Sequence, residues 1–134
     1  MEILSASEGY LQLIEIYRQK VLSQRTRTIR LLGRKGPAKI LTTLLGYEVQ
    51  ASYKRIQCPD LVTARYVRLF SELGCHSIHL PYDPTATAEL IPEFEKAIDR
   101  ITVQIRGLFP KDSAVQQYAI RKAFEIIRRR LQAA

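Results

Sequence analysis

The stretch RTRTIRLLGRKGPAK, Arg25 to Lys39, follows a segment with helical periodicity. Whether it continues that helix decides the fold of the first half of the chain. Six of its fifteen residues are Lys or Arg, and none is acidic. Such a stretch is a disordered tail, a solvated helix face, or a surface that holds a polyanion. The rest of the sequence is needed to choose among these three.

The positive charge of the protein is concentrated around this stretch. Residues 18–55 hold ten basic residues and one acid, Glu48, so their net charge is +9. The other residues hold 11 basic and 12 acidic side chains, which makes −1 and a total of +8. Because the whole excess lies in one segment, the distribution favours a polyanionic partner over a generally basic surface kept for solubility.

Length and composition indicate one globular domain covering residues 1–134. The chain has 134 residues, of which 46% are hydrophobic, enough for a core. The beginning, MEILSASEGYLQ, lacks the apolar run of a signal peptide, and no segment reaches the ~18 apolar residues of a membrane span. Two cysteines do not make a secreted disulfide framework. These features predict a soluble cytoplasmic protein that does not interact with membranes.

Apolar residues at helical spacing predict an all-α bundle of about five helices. The residues from 75 to 84, with two prolines, are predicted to be an extended connector without a partner strand. Three local signals refine the boundaries: Gly74 as a C-terminal cap, Pro92 in a first helical turn, and a capping box formed by Ser113 and Gln116. The predicted helices run over 6–32, 37–55, 59–73, 87–109, and from 113 onward. The second is expected to bend at Gly46 and to bury Ile40, Leu41, Leu44, Leu45 and Val49. The third is expected to bury a stripe formed by Val62, Tyr66, Leu69, Phe70 and Leu73.

Helical phase arranges the cations of the opening stretch on one face. At 100° per residue, Lys20, Arg27, Arg30 and Arg34 fall within an arc of about 80°, nearly opposite the apolar stripe. Arg25 falls inside that stripe and is expected to lie at the edge of the core. A plain solvated face would intersperse acids at i,i+4, and this face has none. The pattern therefore indicates an ordered surface that follows a phosphate backbone.

Further cations extend the predicted site. Lys35 and Lys39 flank the predicted N-terminus of the second helix, where backbone N–H groups favour an anion. Basic residues of the last helix also suit its dipole, so a structural role explains them equally well. Tyr53 is the best candidate for stacking on a base. The residues predicted to bind nucleic acid are Lys20, Arg27, Arg30, Arg34, Lys35, Lys39, Lys54, Arg55, Arg121 and Arg128.

Catalytic and metal chemistry find little support. Cys58 is isolated, and Cys75, His76 and His79 lack the paired spacing of zinc ligands. No nucleotide-binding glycine loop and no nucleophile elbow occurs. Acids of the fourth predicted helix, such as Glu93, are expected to pair with bases. We therefore expect no enzyme, no catalytic residue, no metal site and no cofactor.

A DNA-binding regulator is the alternative. The segment ILTTLLGYEVQASYKRIQCPDLVTARYVRLF has the order of a helix-turn-helix, although its turn is longer than the usual three or four residues. In that arrangement Thr63, Arg65 and Arg68 would face outward from the second helix. A dimer would then place Arg65 and Arg68 in a DNA groove.

With its cation strip QRTRTIRLLGRKGPAK, its size and its predicted helical layout, the chain resembles the small subunits of multisubunit CRISPR effector complexes. Some of these, in the type I-D branch, correspond to the C-terminal part of the large subunit. The resemblance implies a non-catalytic subunit of a ribonucleoprotein. Its partners would be RNA or DNA backbone, other subunits, and further copies of itself. Base pairing between guide and target would determine the sequence specificity, and the protein would contact only the charged backbone.

Overall fold

The computed structural model describes residues 8–31 and 37–134, with side chains from residue 12 onward. In these residues the chain forms four α-helices and five strands in two antiparallel sheets, so the predicted all-α bundle is wrong. In order, the elements are α1 (Glu8–Ile16) with a π-helical turn (Tyr17–Val21), β1 (Thr26–Arg30), β2 (Ala38–Thr43), β3 (Gly46–Ala51), β4 (Lys54–Cys58), α2 (Leu61–Leu73), β5 (Ser77–Pro81), α3 (Pro84–Leu108) and α4 (Ser113–Ala133).

A three-stranded meander, β2–β3–β4, replaces the predicted second helix. Ile40 pairs with Val49, and Val49 with Ile56, so these β-branched residues form one row on the inward face. Apolar and polar side chains alternate along these strands, as expected for a sheet with one covered face. The segment therefore forms strands, although its apolar residues also fit a helical spacing. Leu41, Leu44 and Leu45 were predicted to be buried and are instead exposed.

Two tight turns connect the strands of the meander. Thr43 pairs with Gly46, which leaves Leu44 and Leu45 as the turn residues. Gly46 has φ 128°, a conformation that L residues rarely adopt, and a Cβ on it would lie 2.8 Å from the Cys58 carbonyl oxygen. Gly46, expected to bend a helix, therefore serves the first turn. In the second turn Ser52 takes φ 57°.

The first helix ends earlier than predicted. A π-helical turn closes it, with the Leu22 N–H donating to the Tyr17 carbonyl at 3.0 Å. The side chains of Ser23 and Gln24 then donate to carbonyls of the last turn, which satisfies the helix end. The following residues Thr26–Arg30 form β1, where Thr26, Thr28 and Ile29 are β-branched and favour a strand. The prediction of a helix over 6–32 is therefore wrong for residues 22–31.

The predicted connector contains β5, which pairs antiparallel with β1 in the register Thr28 to His79. On the edge of β5 that faces away from β1, side chains form hydrogen bonds with the backbone N–H and C=O groups. Gln132 accepts from the Ser77 N–H and donates to its carbonyl. The His79 N–H donates to the Tyr17 hydroxyl at 3.1 Å, and the Tyr66 hydroxyl donates to the His79 carbonyl at 2.6 Å. Pro81, the next residue on this edge, has no N–H to satisfy.

The core is centred on a cluster of four aromatic rings. Phe70 lies 4.8 Å from Tyr66, 5.3 Å from Phe94 and 5.9 Å from Tyr17, measured between ring centroids. All four side chains are essentially buried. Helix α2 carries two of these rings and packs against β2 and β3, while α1 packs against α3. Offset aromatic pairs of this kind add to the stabilisation that burial provides.

Helix ends agree with the sequence signals only in part. Gly74 is confirmed as the left-handed cap of α2, with φ 86°. Helix α3 begins three residues earlier than predicted, at Pro84, so Pro92 lies inside it rather than in its first turn. Asp112, not Ser113, caps α4 by accepting from the Val115 N–H.

Replacing Gly46 with Ala is expected to destabilise the protein by about 1–3 kcal/mol, because Ala is strained at φ 128° and its Cβ meets the Cys58 carbonyl. Chemical denaturation followed by circular dichroism measures the change. The matched control is Gly107→Ala in α3, where an added Cβ meets no atom within 4 Å. That variant should be stabilised by up to about 1 kcal/mol. Equal effects of both substitutions would contradict the assigned turn.

Replacing Tyr66 with Phe removes the hydroxyl that binds the His79 carbonyl and keeps the ring. We expect a loss of about 1–3 kcal/mol in the free energy of unfolding, because the carbonyl is left without that donor. Urea denaturation measures it, with Tyr118→Phe at an exposed tyrosine as the control. If both variants were as stable as the original protein, the hydroxyl would not support β5.

Candidate nucleic-acid interface

The outward face of the meander carries polar and basic side chains in cross-strand rows. One row places Lys39, Gln50 and Arg55 side by side, because Gln50 pairs with both neighbours. The adjacent row contains Leu41, Glu48 and Gln57. Lys39 and Arg55 are exposed, since α2 covers the opposite face of this sheet.

The two-stranded sheet, β1 with β5, also has one face toward the core and one face away from it. Ile29, Ile78 and Leu80 face the core, whereas Thr28, Arg30 and His79 alternate with them and face away. Thr28 and Arg30 are exposed, and His79 is half-buried. The outward face of this sheet therefore adds a further cation and a hydroxyl group.

A seam between β1 and β4 joins the two sheets. The Lys54 ammonium donates to the Arg30 carbonyl oxygen at 3.1 Å. At the other end of the seam, the Arg27 guanidinium acts on the Cys58 thiol and opposes the rise of its pKa that burial causes. Cys58 and Arg27 both lie on the inward side of their strands, so the outward faces share one side of the molecule. Three strand cations lie on these outward faces, and we call them the basic sheet surface: Arg30, Lys39 and Arg55. Arg27 and Lys54 lie on the other side of their strands, along the seam.

Little negative charge opposes the basic sheet surface. Glu48 is the single acid of the five described strands. Its Oε1 lies 3.5 Å from Arg55 Nε, which is an electrostatic contact but too long for a hydrogen bond. The Arg55 side chain remains 74% exposed. Its guanidinium therefore keeps donors free for an anion.

The predicted cation strip on one helix is not formed. Arg27 and Arg30 lie on a strand, where a separation of three residues puts their side chains on opposite faces. Lys20 is on the π-helical turn and pairs with Glu93 at 3.2 Å. Arg34 and Lys35 lie outside the described residues.

The predicted cations of the last helix belong to a different surface. Arg121 is exposed on α4, while Arg128 is half-buried and counteracts the raised pKa of Cys75. On the same helix, Arg129 contacts Glu125 at 2.6 Å. These contacts explain some of the cations of α4 by interactions within the fold. The helix dipole also favours cations near the C-terminus of α4.

Arg25, expected at the edge of the core, is exposed and stacks on an aromatic ring. Its guanidinium carbon lies 4.6 Å from the centroid of the Tyr82 ring. A cation–π contact at an exposed site contributes about 0.5–1 kcal/mol. The contact fastens the start of β1 to the residue that follows β5.

The residues of the helix-turn-helix alternative are engaged inside the fold. Arg65 donates two hydrogen bonds to Glu95 of α3, and Arg68 lies 3.9 Å from the same carboxylate. Thr63 is buried. The helix expected before them is the meander, so the two-helix unit is not formed here. Pairing of the α3 acids with bases, as predicted, is confirmed for Glu93 and Glu95.

A groove of about 390 Å³ lies among α2, α3 and α4. It is lined by Arg68 and the carboxylates of Glu72, Glu95 and Asp99, over an apolar floor that includes Phe124. Burial raises the pKa of Glu72. Because carboxylates outnumber the single guanidinium, this groove is unsuited to phosphate.

The four residues considered for zinc do not form a ligand set. Burial raises the pKa of the Cys58 thiol to about 11 and that of Cys75 to about 12. Both are free thiols and both are buried. Nδ1 of His79 lies 3.3 Å from the Thr26 hydroxyl. Among the described residues, no three His, Cys, Asp or Glu side chains are grouped closely enough to hold a metal ion.

Comparison of the chain with protein-family models, with curated proteins and with solved structures gives no match. None of the described helices combines the length and apolar character that crossing a bilayer requires.

Several polar residues of the surface were missed from the sequence. Thr28, Gln50 and Gln57 accompany the cations on the outward faces. The signals that identify them are the alternation of apolar and polar residues in KRIQC and the β-branched residues of TRTIR, which a helical interpretation of the segment does not use. Tyr53, singled out as a stacking residue, is 76% exposed in the turn before Lys54.

Both thiols are expected to react slowly with a disulfide reagent at pH 8 in the folded protein and quickly in denaturant. Since folding raises both pKa values, it opposes ionisation, so their contribution to stability is complete below the unfolded value and is lost as the pH rises toward 11 and 12. Colorimetric thiol titration with and without urea measures this. Rapid reaction of either thiol in the folded state would contradict its assigned burial.

Proposed function

We propose that the protein binds the phosphate backbone of nucleic acid, without catalysis, through the basic sheet surface. The observation that supports this most directly is that Arg30, Lys39 and Arg55 lie on the outward faces of strands that contain a single acid, Glu48. Such a concentration of charge is unfavourable unless a polyanion neutralises it. Nucleic acid is the polyanion with a regular and dense charge lattice.

The geometry of the surface suits a backbone better than an isolated anion. Lys39 and Arg55 flank the central strand β3 and are two strand spacings apart, about 10 Å. A run of phosphates can engage both at once. Gln50 lies between them and can donate to phosphate or sugar, as amide side chains do in nucleic-acid complexes. Tyr53 at the nearby turn offers an exposed ring for a base.

The proposal is limited to backbone binding. The resemblance to CRISPR small subunits used a helical layout and a one-sided basic helix, and the fold has neither in its described residues. Association with other subunits or further copies therefore stays a prediction from sequence. Two free, buried cysteines suit a reducing compartment, and we propose the cytoplasm.

Reversing the charge of two cations tests whether the basic sheet surface binds nucleic acid. Arg30→Glu combined with Lys39→Glu should weaken binding to all nucleic-acid sequences alike. The slope of log affinity against log salt should fall by about 2, close to one for each lost phosphate contact. Neither side chain forms an ion pair within the described chain, so folding should be kept. Fluorescence anisotropy with labelled DNA and RNA at several salt concentrations measures the change.

The matched control is Lys96→Glu with Lys111→Glu, two exposed residues on and after α3. It changes the net charge by the same amount away from the strands. If the control weakens binding as much as the surface variant does, net charge and not this surface governs binding. Absence of nucleic-acid binding at low salt would refute the proposal.

A further inference from the structure

The turn between β2 and β3 ends in two exposed leucines. Leu44 is fully exposed, with a relative accessibility of 105%, and Leu45 is 82% exposed. Scattered apolar residues on a surface are normal. Two adjacent leucines at the tip of a projecting turn are different, because the turn itself gives them nothing to pack against.

The fold does not need leucine at either position. Tight turns favour Gly, Asn and Asp. Here Gly46 supplies the positive φ, and the Thr43 hydroxyl closes the turn by accepting from the Leu45 N–H at 3.3 Å and the Gln57 side chain at 2.9 Å. None of these interactions uses a leucine side chain. The apolar tip therefore suits an external partner.

The tip adjoins the basic sheet surface. A Cβ on Gly46 would contact the Cys58 carbonyl, so the turn lies at the Cys58 end of the meander. Arg27 acts on the Cys58 thiol and therefore lies at that end too. Lys39 and Arg55 lie on the outward face of the meander, toward its opposite end. A backbone held along this face would bring its bases near the leucines.

The position of the leucines at a turn lets side chains alone reach the bases. The minor groove of B-DNA is about 6 Å wide, and only the tip of the turn would have to enter it. Leucine is among the apolar side chains that proteins insert between base steps, where it partly unstacks them. Insertion would remove both leucines from water.

We propose that Leu44 and Leu45 form a wedge that enters a base step of a bound duplex and unstacks it. This inference rests on the proposed backbone binding: the cations hold the phosphates, and the wedge acts on the bases. No covalent change is involved. The duplex bends at the step, since unstacking from the minor-groove side opens it.

The test uses the full chain and short DNA and RNA duplexes that carry 2-aminopurine at successive central steps. The fluorescence of this base rises when it unstacks. The original protein should produce a rise, and Leu44→Ser with Leu45→Ser should abolish it. The double variant should keep its unfolding temperature, because both side chains are exposed, and its salt slope, because the cations are unchanged.

Leu108→Ser on α3, also at an exposed leucine, is the matched control and should keep the full fluorescence rise. Duplex binding with no rise, or with an equal rise in the double variant, overturns the wedge and leaves backbone binding intact. Lack of any duplex binding overturns both proposals. Binding to anionic lipid vesicles that the double serine variant loses, without unstacking of duplexes, would assign the tip to a membrane and overturn the wedge.

Discussion

The outward edge of β5 constrains the rest of the structure, because its backbone groups are satisfied by side chains instead of by another strand. The hydroxyls of Tyr17 and Tyr66 bind the N–H and the carbonyl of His79, and Gln132 does the same for Ser77. A buried backbone group without a partner is costly. The π-helical turn, α2 and α4 are thereby each fixed to one short strand. Tyr17 and Tyr66 also belong to the aromatic cluster, so edge closure and core packing depend on the same two residues.

This arrangement separates the charges of the protein into two layers. On the helices, cations meet acids: Lys20 with Glu93, Arg65 with Glu95, and Arg129 with Glu125. The five described strands hold five cations and one acid, Glu48, which contacts Arg55. Exposed ion pairs contribute little to stability. The helices with the π-helical turn hold 12 basic and 8 acidic residues, a net charge of +4 that comes from α4, and the strands also carry +4. The two layers differ in that the helical cations lie among acids, whereas those of the strands meet a single one.

The sequence predicted the helices and the charge better than the strands. The buried stripe of Tyr66, Leu69, Phe70 and Leu73 and the cap at Gly74 were correctly predicted, because helical signals are local in the chain. The basic segment was also recognised, since charge can be counted without knowing the conformation.

The strands were missed for two physical reasons. Leu41, Leu44 and Leu45 continue a helical spacing from Ile40, although one of them lies on an outward face and two on a turn. In addition, β5 was dismissed because its partner, β1, lies about fifty residues away, and no local pattern reports that pairing. Since Arg27 and Arg30 were placed by helical phase, the arrangement of the predicted site changed with the fold, and five of its ten residues lie on the strands.

The position of Lys39 on an outer strand of the meander has a consequence for self-association. Among the described strands, β5 is closed by side chains and Pro81, and β4 faces β1 across the seam. The remaining edge is that of β2, which borders only β3. An open edge is a template on which copies of a protein can aggregate, and lysine is the residue that natural sheets most often use to prevent this. The ammonium group proposed to bind phosphate is thus also a charge at the open edge, of the kind that opposes strand-to-strand association.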